Sequence, residues 1–454
     1  MSIFRAYDIR GIYGDTIGPQ DALRISSVFA SKYGERGPIY VGRDNRRSSL
    51  PLSLSVIAGA SAAGAEVVDI GMVPTPLLYF GVSHYGAKGG VMVTASHNPA
   101  SYNGLKLVRE NARPLTYETG IGEIECECRA GGVTADPDVV GDVRADDIRG
   151  EYVEFISREV RTPIKTRVVF ELGNGTAGPV VEELVEKLSL DATTLNCEPD
   201  SSFPKGMVNP ADQGTLSELT NAVKQKGADL GIGLDIDGDR VGVVTRTGRH
   251  VFGDFLLAIL SRDVLRERKG ATILLDVRAS RVVKNYIRSL GGDTKLTRVG
   301  HSYIANAMLD GDFPLGGELS GHIYFKDRYY GYDDGIYCAV RLMELLSREG
   351  VDLDDALRDL GPAFVSPEIR VHAPEESKFE IVKAMEKELS ARGVAIDTLD
   401  GVRAELPNGW FSVRASNTEP ALVIRAEGYR EGELERVLEQ VDHLISRMSS
   451  VEKP

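Results

Sequence analysis

Two short polar stretches carry residue types that chemistry needs. Thr94-Ala95-Ser96-His97-Asn98-Pro99 follows the apolar run Gly90-Val91-Met92-Val93. That run reads as a short buried strand, so Ser96 falls in the loop where the strand ends. Such loops carry much of the chemistry of α/β proteins because a rigid sheet holds them in place. Ser96 is therefore a candidate nucleophile or phosphate carrier. The second stretch, Asp235-Ile236-Asp237-Gly238-Asp239-Arg240, follows another expected strand, Leu230-Gly231-Ile232-Gly233-Leu234. Three carboxylates at alternate positions repel one another unless a cation compensates. Oxygen ligands without Cys or His favour a hard ion such as Mg2+. A calcium loop fails on spacing, because its glycine and glutamate positions hold Arg240 and Arg246. A solvated acidic turn stays open for this stretch taken alone. Arg240 adds a guanidinium, a common way to hold phosphate beside a metal.

The elements that must hold these loops alternate between strand and helix through about the first 360 residues. Pro38–Gly42, Glu66–Ile70 and Gly90–Val93 read as strands, with a helix over Leu52–Ala63. Glu127–Arg149 is polar and rich in Gly and Asp, a domain boundary. A second series opens at Arg167–Leu172 with a helix from Pro179 to Leu188, and a third at Thr272–Asp276 with a helix over Arg281–Leu290. Gly361-Pro362 marks a break before a strand–helix–strand–helix tail ending in Gly432–Met448. This order predicts mostly parallel sheets. No exact internal repeat is visible. Gly173-Asn174-Gly175-Thr176-Ala177-Gly178 matches the dinucleotide-binding pattern; the alternative is a tight turn with close helix–sheet packing.

A chain of 454 residues is too long for one core and predicts roughly three to four domains. Its net charge of −14 argues against a general nucleic-acid binder, which needs a basic face. No run approaches about 18 uninterrupted apolar residues, so no membrane span is expected. The N-terminus lacks the apolar core of a signal peptide, and the cytoplasm is the expected compartment. Cys126, Cys128, Cys197 and Cys338 form neither a zinc pattern nor a disulfide scaffold.

Taken together, Thr94–Pro99, Asp235–Arg240, Gly317-Glu318-Leu319-Ser320-Gly321-His322 and Arg414-Ala415-Ser416-Asn417-Thr418-Glu419-Pro420 resemble the α-D-phosphohexomutase superfamily. The nearest likeness is to its phosphomannomutase/phosphoglucomutase group. The motifs stand in the family's order, and the resemblance starts at Phe4-Arg5-Ala6-Tyr7-Asp8-Ile9-Arg10-Gly11. It implies three related α/β domains with mixed or parallel sheets and a smaller α+β C-terminal domain around a central cleft. The expected divisions are 1–150 with the phosphoserine loop, 151–252 with the metal loop, 253–363 with the sugar loop and 364–454 with the phosphate loop. Against that background the Gly173–Gly178 turn opens the second domain without binding a nucleotide.

The implied reaction interconverts hexose 1-phosphate and hexose 6-phosphate, of glucose and/or mannose, with Mg2+ as cofactor and hexose 1,6-bisphosphate as activator. Ser96 carries the phosphoryl group, and Asp235, Asp237 and Asp239 bind Mg2+ together with an oxygen of that phosphoserine. The phosphoserine gives its group to the sugar, and the resulting 1,6-bisphosphate turns over within the cleft. Arg414, Ser416, Asn417 and Thr418 grip the far phosphate. Glu318 and Ser320 hold sugar hydroxyls, and His322 orients their loop. Lys106 and His301 are acid–base candidates; Arg240 joins them as a catalytic residue. Tyr7 and Arg10 match positions near the cleft. Where relatives often carry Lys, this chain has Arg278, which binds phosphate but cannot move protons at neutral pH. A phosphoglucosamine mutase is the alternative within the superfamily; Leu319 leans toward the hexose group. A metal-dependent sugar phosphatase and a non-catalytic binding protein are the other classes. The expected partner is a phosphosugar, with no nucleic acid or membrane, and the chain is expected as a monomer or small homo-oligomer.

Overall fold

Runs rich in Val, Ile and Leu form the strands, and amphipathic stretches between them form the helices that cover the sheets. The computed structural model describes residues 2–34, 37–133, 138–416 and 420–450. In the first domain the parallel strands Ile39–Arg43, Val67–Met72 and Gly89–Val93 are joined by Tyr102–Arg109, antiparallel to Gly89–Val93. The second domain repeats this plan with Val168–Glu171, Ala192–Leu195, Leu230–Leu234 and the antiparallel Val241–Thr245. The third repeats it again with Thr272–Asp276, Asp293–Thr297, Leu315–Gly317 and the antiparallel Ile323–Phe325. In all three the spatial order is second, first, third, fourth strand. The sheets are therefore mixed, where the alternation alone suggests mostly parallel ones. A buried strand reads the same in either direction, so periodicity cannot reveal the reversal.

The repeat extends to a side chain. A carboxylate at the end of the first strand of each unit accepts the backbone N–H two residues on. Asp44 takes that of Arg46 at 3.0 Å, Glu171 that of Gly173 at 2.9 Å and Asp276 that of Arg278 at 2.6 Å. The polar stretch after residue 127 contributes the edge strand Val143–Ala145, which pairs with Val67–Met72.

The fourth domain is an antiparallel sheet in which Ala421–Gly428 and Gly409–Ala415 are central, covered by helices Lys378–Ala391 and Glu433–Ser450. Its apolar core is its own, whereas one core runs through the first three domains. It meets the third domain through polar contacts. Arg425 pairs with Asp254 at 3.2 Å, Arg403 Nη1 donates to Val277 O and Ala279 O, and Glu427 accepts from Arg281 N at 2.8 Å. Among the described residues no helix is long and apolar enough to cross a membrane.

The glycines of Gly173–Gly178 serve packing. A side chain at Gly175 would collide with the backbone of Ile236, and one at Gly178 with that of Cys197. Thr176 N donates to Ile236 O at 2.9 Å. The turn thus abuts the Asp235–Arg240 loop, and the space a pyrophosphate would need is filled by protein.

Candidate active site

The loop carrying Ser96 links the third and fourth strands of the first unit, so ladder hydrogen bonds fix both of its ends. Ser96 is buried with φ of 49°, a left-handed backbone that costs a serine energy unless its surroundings impose it. Arg46 is part of that imposition. Its Nη2 donates to Ser96 O at 2.5 Å and Asn98 O at 2.7 Å, and its Nη1 to Pro99 O at 2.7 Å and Tyr102 O at 3.1 Å. Asp44 holds the guanidinium from behind at 3.0 Å. A planar fork of five donors suits this task and a point-charge ammonium does not. Arg46→Lys is therefore expected to destabilise the protein by about 3 kcal/mol, a buried charged network losing several partners, measured by urea unfolding.

Asp235, Asp237 and Asp239 are fully buried on the equivalent turn of the second unit, and one oxygen from each lies within 4.8 Å of the others. Ser96 Oγ donates to Asp235 Oδ2 at 2.8 Å. Thr75 Oγ1 donates to Asp237 Oδ2 at 2.7 Å, and Lys106 Nζ, also buried, sits 2.8 Å from it while pairing with Asp239. Burial and the two neighbouring carboxylates push Asp235 well above the usual carboxylate range. Burial works the same way on Asp239, but Lys106 and Arg240 outweigh it and hold that group well below. Among the described residues, Asp237 Oδ1 and Asp239 Oδ1 have no hydrogen-bond partner. Buried oxygens in excess, two of them unpaired, fit a hard divalent cation.

Lys106 and His301 behave differently from one another. Burial disfavours the Lys106 ammonium, yet Asp237 and Asp239 raise it well above the ordinary lysine range. It is a counter-cation that stays charged, and cannot accept a proton near neutrality. His301 is buried and pushed down to about 4, chiefly by desolvation, so its imidazole is neutral. Tyr7 packs edge-on to it at 5.3 Å and remains a phenol, its pKa pushed up to about 12 by burial and then by Asp8. Arg10 is braced by Asp8 and Asn98. Because His301 is neutral in the fold, unfolding below pH about 6.5 takes up a proton. Its contribution is whole above that pH and lost as pH falls toward about 4. Asp333, pushed up to about 7 by burial and then by Asp239, runs the other way. The expected result is thus in the difference: the stability gap between wild type and His301→Gln shrinks from pH 7 to pH 4 in denaturant titrations.

His322 is also neutral, pushed down to about 4 by burial. Arg240 Nε donates to its Nε2 at 2.8 Å, which places the imidazole proton on Nδ1, 2.7 Å from Asp333 Oδ2. Its loop, 318–322, is the matching third-to-fourth strand turn of the third unit. There Glu318 Oε1 accepts from Gly300 N at 2.5 Å and Oε2 from Ser320 Oγ at 2.7 Å. Asp276 accepts from Leu319 N at 2.8 Å and pairs with Arg278 at 2.7 Å, positioning both the loop and the cation.

The fourth domain closes the site. Arg414 is held by Asp400 at 3.1 Å, and Asp400 also accepts from Val299 N at 2.9 Å across the domain boundary. Lys378 Nζ donates to Ser416 O at 2.6 Å. Asn417 and Thr418 lie outside the described residues. All four domains line a cleft of about 430 Å3. Tyr7, Arg10, Ser96, Lys106, Asp239 and Arg240 line it together with Arg278, His301, Glu318, Ser320 and His322 of the third domain and Arg414 and Ser416 of the fourth. Asp235 and Asp237 lie buried against Ser96 and Lys106.

Several participants go unnamed when the sequence is read alone: His97, whose Nδ1 is 3.2 Å from Ser96 Oγ, and the braces Arg46, Asp276, Asp333 and Asp400. His97 sits inside the Ser96 motif and was findable there. The carboxylates carry no local signal, since each acts on a residue brought to it by folding.

Known proteins match along the same plan. The families described as phosphoglucomutase/phosphomannomutase alpha/beta/alpha domains I, II and III match residues 1–130, 150–248 and 252–364, and the family's C-terminal domain matches 368–444. A phosphomannomutase/phosphoglucomutase of Pseudomonas aeruginosa is 40% identical over 440 residues, 96% of this chain and 94% of that one. A phosphoglucomutase of Neisseria meningitidis is 36% identical, covering 98% and 96%. The crystal structure of a phosphoglucomutase/phosphomannomutase family protein from Burkholderia thailandensis superposes with a TM-score of 0.90 at 32% identity, covering 98% and 97%. With each of the four domains matched in order over nearly its whole length, the chain belongs to the phosphoglucomutase/phosphomannomutase family.

Proposed function

We propose that the protein interconverts hexose 1-phosphate and hexose 6-phosphate, of glucose and/or mannose, through a phosphoserine at Ser96 and a hexose 1,6-bisphosphate intermediate. The observation that carries this reading is the placement of Ser96 Oγ. It lies 2.8 Å from Asp235, in a cleft that Arg414 and Ser416 from another domain also line. A phosphatase needs the first half of that arrangement and has no use for the second.

Asp235, Asp237 and Asp239, with the Ser96 phosphate, are the residues to hold Mg2+, which when bound neutralises charge on the transferring phosphoryl group. The remaining work falls to the chain's own side chains. Arg278, Arg414 and Ser416 bind the far phosphate. Glu318, its second oxygen steadied by Ser320, accepts from sugar hydroxyls. Neutral His97 is in reach of the Ser96 proton, His301 is a neutral acceptor inside the cleft, and Lys106 is the donor. Closure by the fourth domain excludes water from the phosphoserine, and its separate core and polar interface suit it to move.

Phosphorus NMR tests this with Mg2+, a trace of glucose 1,6-bisphosphate, and glucose, mannose or glucosamine 1-phosphate supplied separately. Growth of a 6-phosphate signal without inorganic phosphate is expected for glucose or mannose. Faster conversion of glucosamine 1-phosphate would reassign the substrate, and release of inorganic phosphate would make the protein a phosphatase.

A further inference from the structure

The strand Ile369–His372 pairs with Ala421–Gly428 at the rim of the fourth domain's sheet. That pairing sets Arg370 opposite Val423, and Val423 is opposite Arg414 on Gly409–Ala415. Directly opposed residues share a face of the sheet, and all three line the cleft. Arg370 thus stands two strand spacings from Arg414, roughly 10 Å of backbone, across an apolar floor formed by Val423. Long guanidinium side chains from both positions can meet over it.

Glu368 orients this second arginine. Its Oε1 is 2.7 Å from Arg370 Nη2, and its Oε2 is 2.5 Å from Arg278 Nη1. Burial works against that carboxylate, but Arg278 and Arg370, with the field of Arg414, hold it below its ordinary range. It is therefore an ion that positions cations. Lys at 278 would present a single ammonium, whereas Arg278 grips Asp276 along one edge and Glu368 with the other. The Arg370 side chain keeps 51% of its surface exposed, against 5% for Arg278.

We propose that Arg370 is a further substrate-binding residue, a second arginine that grips the hexose phosphate at the wall where Arg414 stands. This rests on the phosphohexomutase reading. A phosphate dianion has terminal oxygens enough for two guanidinium groups. A hexose bisphosphate presents one phosphate to this wall whichever end faces Ser96, so Arg370 also retains the intermediate while it turns.

The test compares wild type, Arg370→Gln and Arg370→Lys. Arg370→Gln is expected to raise KM for glucose 1-phosphate about ten- to a hundredfold, the value of one charge-assisted contact, with kcat falling much less. The glucose 1,6-bisphosphate needed for half activation rises with it. Arg370→Lys recovers part of both losses. Because Arg370 is half exposed, the gap to wild type narrows in high salt. KM and activator requirement within twofold of wild type would overturn the inference, as would a loss confined to kcat and melting temperature. Calorimetric titration of glucose 1-phosphate into Ser96→Ala, with and without Arg370→Gln, separates this inference from the functional reading. Weaker binding by the double variant upholds Arg370 even if wild type shows no turnover. Equal affinities sink it, and no binding by either variant sinks both.

Discussion

Ser96→Ala is expected to lower hexose phosphate turnover by roughly 10⁴- to 10⁶-fold, the scale on which enzymes lose rate with their nucleophile. The same variant should fold. Ser96 contributes one side-chain donor to Asp235, and its backbone is held by Arg46, Thr94 and the flanking strands. The expected stability change is about 1–3 kcal/mol, the cost of leaving one buried acceptor short. Intact-mass measurement adds an independent signature: wild type incubated with glucose 1,6-bisphosphate and Mg2+ gains one phosphoryl group, and the variant gains none. Near-normal turnover by a folded Ser96→Ala protein would remove the phosphoserine mechanism altogether.

Lys106→Met is expected to show the second large effect, and to show it differently with and without metal. Three buried carboxylates face two cations, Lys106 and Arg240. Removing Lys106 leaves Asp237 and Asp239 with an uncompensated buried charge, a loss of about 3–5 kcal/mol. A divalent cation bound among the same oxygens replaces that charge. The variant's melting temperature should fall steeply in EDTA and recover in millimolar Mg2+, with a larger Mg2+-induced rise than wild type. Turnover is expected to drop about 10²- to 10⁴-fold even with Mg2+, as the proposed role of Lys106 as proton donor requires. A variant equally stable with and without Mg2+ would show that the carboxylates do not form a cation site.

The chemistry was legible in the sequence because it sits in contiguous loops. Ser96, the three aspartates, Glu318 and Arg414 each announce themselves within six or seven residues of one another's motif partners. What positions them was not legible, because it is contributed from elsewhere in the chain. Arg46 reaches the Ser96 loop from a strand end 50 positions earlier, and Asp276 reaches Leu319 over 43. Arg370 enters the cleft only through strand register. The three related domains were expected, but no repeat of residues marked them: what repeats is strand order and one carboxylate, Asp44, Glu171 or Asp276, embedded in otherwise dissimilar segments. The glycine-rich turn shows the converse. Its pattern fits two purposes, and only the approach of Ile236 to Gly175 decides between them.

In each repeat the functional turn joins the third strand to its antiparallel neighbour, so both arms are zipped into one ladder. The disorder such a turn would have as a free loop was surrendered when the chain folded, and a ligand has none of it left to remove. The frame that meets a sugar phosphate entering by its first carbon is then the same frame that meets it by its sixth. Symmetry of treatment toward the two ends, which a reversible exchange requires, comes from stationary turns around a rotating guest. Amide hydrogens in 94–101, 235–240 and 318–322 should accordingly exchange with deuterium no faster in the free enzyme than in the complex, leaving any slowing on binding to the fourth domain.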